Sequence, residues 1–212
     1  MGRGMSKAGG GGVNSDKFFN RDMTSQVMDF KKVVPTDIES AFMQYVYGGE
    51  GGNKKAEFDE QNGLSDFIDS KAANPLRPTN NPTLYRGGTI TDEQFKNLKV
   101  GEQLDIMDSK DQLTSWSTRE MVAHMYAEQS KLTWGQGGSK PHDVVIVDTS
   151  KTSDGIVYPY SYPQNEVLRS RTKNYTITKI VDSSQYKGPI GRENDGKSQH
   201  TDPVTYIYVK SN

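Results

Sequence analysis

Three segments of this chain combine residue types and spacings that could do chemistry. In Leu84-Tyr85-Arg86-Gly87-Gly88 an arginine leaves a strand-like stretch beside two glycines. A guanidinium placed there can approach a phosphate closely and grip a diphosphate through paired, charge-assisted hydrogen bonds. The plainer reading is an exposed edge-strand arginine next to a turn. In Thr114-Ser115-Trp116-Ser117-Thr118-Arg119-Glu120, strand alternation puts Ser115 and Ser117 on one face. Such a hydroxyl pair can orient a carboxylate and touch a sugar; Ser117-x-x-Glu120 is equally a capping box for a following helix. In Gln164-Asn165-Glu166 an amide and a carboxylate share a strand face, about 7 Å apart by strand rise. They follow the aromatic, turn-forming run Tyr158-Pro159-Tyr160-Ser161-Tyr162-Pro163. Polar alternation on a half-exposed strand would give the same pattern.

The elements that must position these groups change character along the chain. Residues 1–14 are a Gly-rich lead, expected to be flexible. Over 36–47, Ile38, Ala41, Phe42, Tyr45 and Val46 recur at helical spacing, Thr36 and Glu39 form a capping box, and Gly48-Gly49 stop the helix. A second helix is predicted near 63–72, and a loop over 74–82 with its three prolines. Strands are predicted near 83–87, 103–106, 112–117, 143–148, 165–169, 173–181 and 204–209, with helices near 91–98 and 118–130 between them. Strands follow helices rather than alternating with them, which indicates an α+β fold and not a doubly wound parallel sheet. No glycine fingerprint follows a strand, so a Rossmann-type dinucleotide site is not indicated. The expected organisation is the lead, then one domain over 15–212, helical over 15–81 and strand-rich over 82–212.

The bulk properties narrow the function classes. With 26 basic and 27 acidic residues the net charge is -1, so no global field favours nucleic acid or an anionic membrane. The chain has no cysteine, which removes disulfides, thiolate nucleophiles and Cys-ligated metals. The three histidines, His124, His142 and His200, lack metal-ligand spacing, and no metal is expected. Mean hydropathy is -0.80; no apolar run reaches the ~20 residues of a membrane span, and no apolar region follows the basic start as in a signal peptide. The expectation is a soluble protein with no membrane partner, acting as a monomer in the cytoplasm of a bacterial or host cell.

In their order, spacing and context the three segments resemble the Arg–Ser–Glu class of mono-ADP-ribosyltransferases, which includes clostridial and cholera-like toxins, vertebrate ecto-enzymes and phage-encoded enzymes. Tyr85-Arg86-Gly87 looks like the class's first-strand arginine, and Ser115-Trp116-Ser117-Thr118-Arg119 like its Ser-Thr-Ser segment with Ser117 in the lead position. Gln164-Asn165-Glu166-Val167-Leu168 looks like its Glu/Gln-x-Glu motif, and Tyr175-x-Ile177 continues the usual strand pair. Ala123 and Tyr126 fit the helix after the serine segment. The resemblance covers about 82–181. Two positions depart from the pattern: Arg119 stands where serine is usual, and Gln164 stands where arginine-specific members have glutamate. Gln-x-Glu is similar to the asparagine-modifying exoenzymes and the guanine-modifying pierisin group.

The resemblance implies helices followed by a split, mixed or antiparallel β-sandwich core, and NAD+ as co-substrate. It implies that Glu166 bonds the ribose 2′-OH and faces an oxocarbenium-like centre, that Ser117 holds that carboxylate, and that Arg86 holds the diphosphate. The Gly87 backbone would read the nicotinamide amide, Trp134 would either stack on nicotinamide or be an exposed loop aromatic, and Gln164 would orient a macromolecular acceptor, a protein side chain before a nucleic-acid base. An NAD+ glycohydrolase with water as acceptor, and a catalytically inactive binding or structural module with the same fold, remain open at this stage.

Overall fold

The computed structural model describes residues 23–47, 54–104, 113–133, 142–151, 154–161, 165–171, 173–181 and 204–211. Gln164 and Trp134, and the expected lead over 1–14, lie outside these residues.

Four helices come first: α1 (Met23–Val33), α2 (Thr36–Tyr47), α3 (Lys54–Asn62) and α4 (Leu64–Asp69), then a 3-10 helix over Lys71–Leu76. Helix α2 lies where the 3.6-residue spacing predicts it and buries Ala41, Phe42 and Tyr45. Glu39 is not spent on the helix start: the Tyr160 hydroxyl donates to it and Lys31 pairs with it at 3.6 Å. The predicted loop over 74–82 begins inside the 3-10 helix, because Pro75 is compatible with a single tight turn whose exit is closed by Arg77 N–H on Asn74 O.

The strands are β1 (Leu84–Ile90), β2 (Thr114–Ser117), β3 (His142–Asp148), β4 (Ile156–Tyr158), β5 (Glu166–Arg169), β6 (Tyr175–Val181) and β7 (Val204–Ser211), with α5 (Asp92–Lys96) after β1 and α6 (Glu120–Thr133) after β2. They hydrogen-bond into one seven-stranded mixed sheet, ordered β4-β5-β2-β1-β3-β7-β6. All neighbours are antiparallel except β3 and β7. The fold is α+β. Of the strand predicted at 103–106, the described part is an isolated bridge, Gln103 to Thr176.

Period-two alternation sorts the sheet into two faces. On one, Leu84, Ile90, Trp116, Val144, Ile146, Val167, Tyr175, Ile177, Ile207 and Val209 form one cluster. Trp116 of β2 and Tyr175 of β6, four places apart in strand order, lie with ring centroids 5.2 Å apart. The sheet therefore curls until its two wings pack against each other, which gives a single sheet the layered core of a sandwich. The other face carries helices in two groups. Helices α1, α2 and α4 cover Leu168, Ile156 and Tyr158 on the β4–β5 wing, while α6 covers Val145, Val147 and Tyr206 on the other.

Candidate active site

The two helical groups meet the sheet on either side of the β1–β2 boundary, and that boundary is where strand pairing gives out. Strand β1 pairs with β3 at every residue from Leu84 to Ile90. With β2 its register is a single pair among the described residues, Tyr85 with Ser117. Beyond it the strands part, and Arg86 Nη1 spans the gap to donate to the Ser115 carbonyl at 2.9 Å. By alternation Arg86 belongs to the opposite face from Ser115 and Ser117, so its guanidinium reaches the cleft through the split.

The cleft over this split has a volume of about 290 Å³. Its sheet side is formed by Tyr85, Arg86, Gly87, Ser115, Trp116, Ser117, Glu166 and Leu168; Val122, Ala123 and Tyr126 of α6 form one wall, and Tyr45, Val46 and Lys55 of α2 and α3 the other. Gly87 explains how close α6 lies. A Cβ on it would sit 1.6 Å from the Ala123 carbonyl oxygen, so only glycine allows this helix–strand approach. The far side of α6 is tied down through the Tyr206 hydroxyl, 2.6 Å from both His124 Nε2 and Glu120 Oε1.

Glu166 is 5% exposed, directly opposite Ser117 in the β2–β5 register. The hydroxyl that donates to its Oε1 is that of Ser115, one alternation step along β2. Ser117 Oγ instead accepts from Arg119 N at 2.9 Å, a turn that delivers the chain into α6 two residues later than the predicted 118. Ser117 thus lines the cleft beside Glu166 without being the residue that holds its oxygen. Glu166 Oε2 is buried and has no partner at hydrogen-bond distance among the described residues. Burial pushes the Glu166 carboxyl above the usual carboxylate range; the Ser115 and Ser161 hydroxyls and the charges of Arg86 and Lys55 oppose that shift.

Of the residues singled out in the sequence, the structure brings Arg86, Gly87, Ser117 and Glu166 to one cleft. Sequence reasoning did not single out Tyr45 and Lys55. The Lys55 ammonium lies 4.9 Å over the Tyr45 ring, and the Tyr45 hydroxyl reaches Leu113 O at 3.4 Å. Both come from the helices before the strands, and no local motif marks them. Among the described residues no group of His, Cys, Asp or Glu is placed to hold a metal ion, and no helix is long and apolar enough to cross a membrane.

No protein-family model and no curated protein matches the chain. Solved structures do. The ADP-ribosyltransferase Vis, in complex with an inhibitor, superposes with a TM-score of 0.55 at 17% identity, covering 92% of this chain and 81% of that one. The Vis toxin of Vibrio splendidus gives 0.54 at 16% identity over the same shares. This chain has the ADP-ribosyltransferase fold.

Proposed function

We propose that this chain is a mono-ADP-ribosyltransferase of the Arg–Ser–Glu class, which cleaves NAD+ at the nicotinamide–ribose bond and passes ADP-ribose to a macromolecule. The observation that carries this reading is Glu166: a buried carboxylate with one oxygen held by Ser115 and the other with no hydrogen-bond partner among the described residues, inside a cleft of the ADP-ribosyltransferase fold. An orphaned buried oxygen suits a hydroxyl donor, and a ribose 2′-OH is one.

Nicotinamide is a good leaving group because its nitrogen is cationic, and its departure leaves positive charge on the ribose. Glu166 supplies the counter-charge in a pocket where it cannot be screened by bulk water. Ser115 fixes the carboxylate, and Ser117 lines the wall on the same face. Arg86 offers a planar fork to the diphosphate. The Gly87 backbone, at the lining of the cleft, reads the nicotinamide amide, and Trp134 stacks on that ring. Overall, NAD+ and an acceptor bearing an N–H or O–H give nicotinamide, the ADP-ribosylated acceptor and one proton. Gln164, a neutral amide, orients the acceptor. It offers no charge to a guanidinium, so the product is not mainly arginine-linked. A net charge of -1 favours a protein side chain over a nucleic-acid base, and the site of action is a bacterial or host cytoplasm.

The test is the fate of NAD+ labelled in its adenylate phosphate, incubated with the protein and a cell lysate. Label in nuclease-resistant, acid-precipitable material is the expected outcome. Nuclease-sensitive label would move the acceptor to nucleic acid, free ADP-ribose would make the protein a glycohydrolase, and intact NAD+ would overturn the enzymatic reading.

A further inference from the structure

Behind the cleft, on the opposite face of β5, lies a buried charge that the proposed reaction does not use. Arg169 is 1% exposed. Its Nη1 pairs with Asp148 at the end of β3, its Nη2 pairs with Asp154 at 2.7 Å, and Lys173 balances Asp154 at 3.5 Å. The guanidinium carbon lies 5.2 Å from the Trp116 ring centre and 5.8 Å from that of Tyr175, whose hydroxyl is 3.4 Å from Nη1. One side chain on β5 thus contacts β2, β3 and β6. Asp148 is itself anchored, accepting from Ser150 N at 2.8 Å, while Ser150 Oγ accepts from Ser211 N of β7 at 2.6 Å.

We infer that Arg169 is a positioning residue for the cleft, pinning the β2–β5 wing to the β3–β6 wing and so setting where Ser115 and Glu166 stand relative to Arg86 and Gly87. Strands β2 and β5 share four register pairs and move as one piece. Across the boundary with β1 the ladder contributes the single pair Tyr85–Ser117 among the described residues. Backbone pairing is too sparse there to fix the separation of the walls. The Arg169 cluster crosses the same boundary from behind. Buried ion pairs gain little stability over well-packed apolar substitutes. What this one supplies is direction: the planar fork aligns two carboxylates while its faces stack on two rings.

The kinetic half of this inference rests on the proposed NAD+ cleavage; the structural half does not. The variants are Arg169→Lys, which keeps the charge but not the fork, and a neutral network of Arg169→Met with Asp148→Asn and Asp154→Asn, which folds without stranded carboxylates should Arg169→Lys fail to. The control is Val144→Ala, buried in the same core on β3 and compared at equal loss of Tm. Native-state amide exchange is expected to rise about tenfold or more at 114–117 and 166–169, and not at 142–148, in the Arg169 variants alone. Nicotinamide release should lose about tenfold to a hundredfold in kcat, with KM for NAD+ within about threefold, as a displaced reacting group does. Exchange and kcat indistinguishable from the Val144→Ala control would overturn the inference. If the wild-type protein does not cleave NAD+, the proposed reaction fails and the exchange pattern alone decides whether Arg169 is the pin.

Discussion

On strand β5, Glu166 faces the cleft and Arg169 faces the back of the sheet, both almost wholly buried, three residues apart. Arg169 is surrounded by compensation: two carboxylates, two aromatic faces and a hydroxyl. Glu166 is held by Ser115 on one oxygen, has no hydrogen-bond partner on the other among the described residues, and its carboxyl is raised by burial. A buried charge met by two opposite charges at contact distance holds structure together. One that is partly answered keeps interaction energy in reserve for a ligand, at a cost in stability. The same contrast runs through the strands, since β1 is fully laddered to β3 and barely laddered to β2. The cleft lies along the side where pairing is given up.

Neutralising each charge alone should separate the two most strongly. Arg169→Met strands Asp148 and Asp154 and should cost about 3–5 kcal/mol, whereas Glu166→Gln should leave stability at pH 7 equal or higher. Urea denaturation of both variants checks the opposite signs. Equal losses would erase the distinction between the two charges.

A smaller effect follows from the direction of the Glu166 shift. Its folded pKa lies above the unfolded value of about 4.5, so the folded state binds the extra proton in the interval between them. The stabilisation is fully present below the unfolded value and is lost as pH rises through the folded one. Stability of the wild-type protein minus that of Glu166→Gln should therefore fall as pH rises above about 4.5 and level off once the raised folded value is passed. A difference that rises over that interval would mean the carboxylate, and not the acid, is favoured by folding.

The serines give the finest cut. Ser115→Ala removes the hydroxyl on Glu166 and should lower NAD+ cleavage about tenfold, moving its acid limb to higher pH. Ser117→Ala opens the turn into α6, costs up to about 1 kcal/mol, and should affect cleavage less. Matched kinetics and thermal melts of the pair decide this, and the reverse order would return the carboxylate to Ser117.

That pair also shows where sequence legibility ends. Alternation places both serines on the cleft face, and the β2–β5 register, fixed by distant pairing, sets Ser117 opposite Glu166; but the turn into α6 takes up the Ser117 hydroxyl, and it is Ser115 that reaches the carboxylate. Helix α2 is legible because its apolar residues repeat at helical spacing. Helix α3, KKAEFDEQN, shows no apolar stripe, so the element that brings Lys55 to the cleft is silent in the sequence. Helix α1 buries Gln26 as well as Phe30, which blurs its apolar face. Strand β4 has three residues, too few for alternation to show, and reads as part of the aromatic turn after it. The split itself is a missing ladder, and no residue type announces it.

In the proposed reaction Glu166 is the carboxylate against which the nicotinamide–ribose bond breaks. Nicotinamide release from NAD+ by the wild-type protein and by folded Glu166→Gln, measured side by side across pH, tests it most directly. Wild-type release is expected to decline in acid above the ordinary glutamate range, and the variant to lose about a thousandfold at neutral pH, a gap that narrows in acid as the wild-type rate falls. Release by a folded Glu166→Gln protein at the wild-type rate would contradict it.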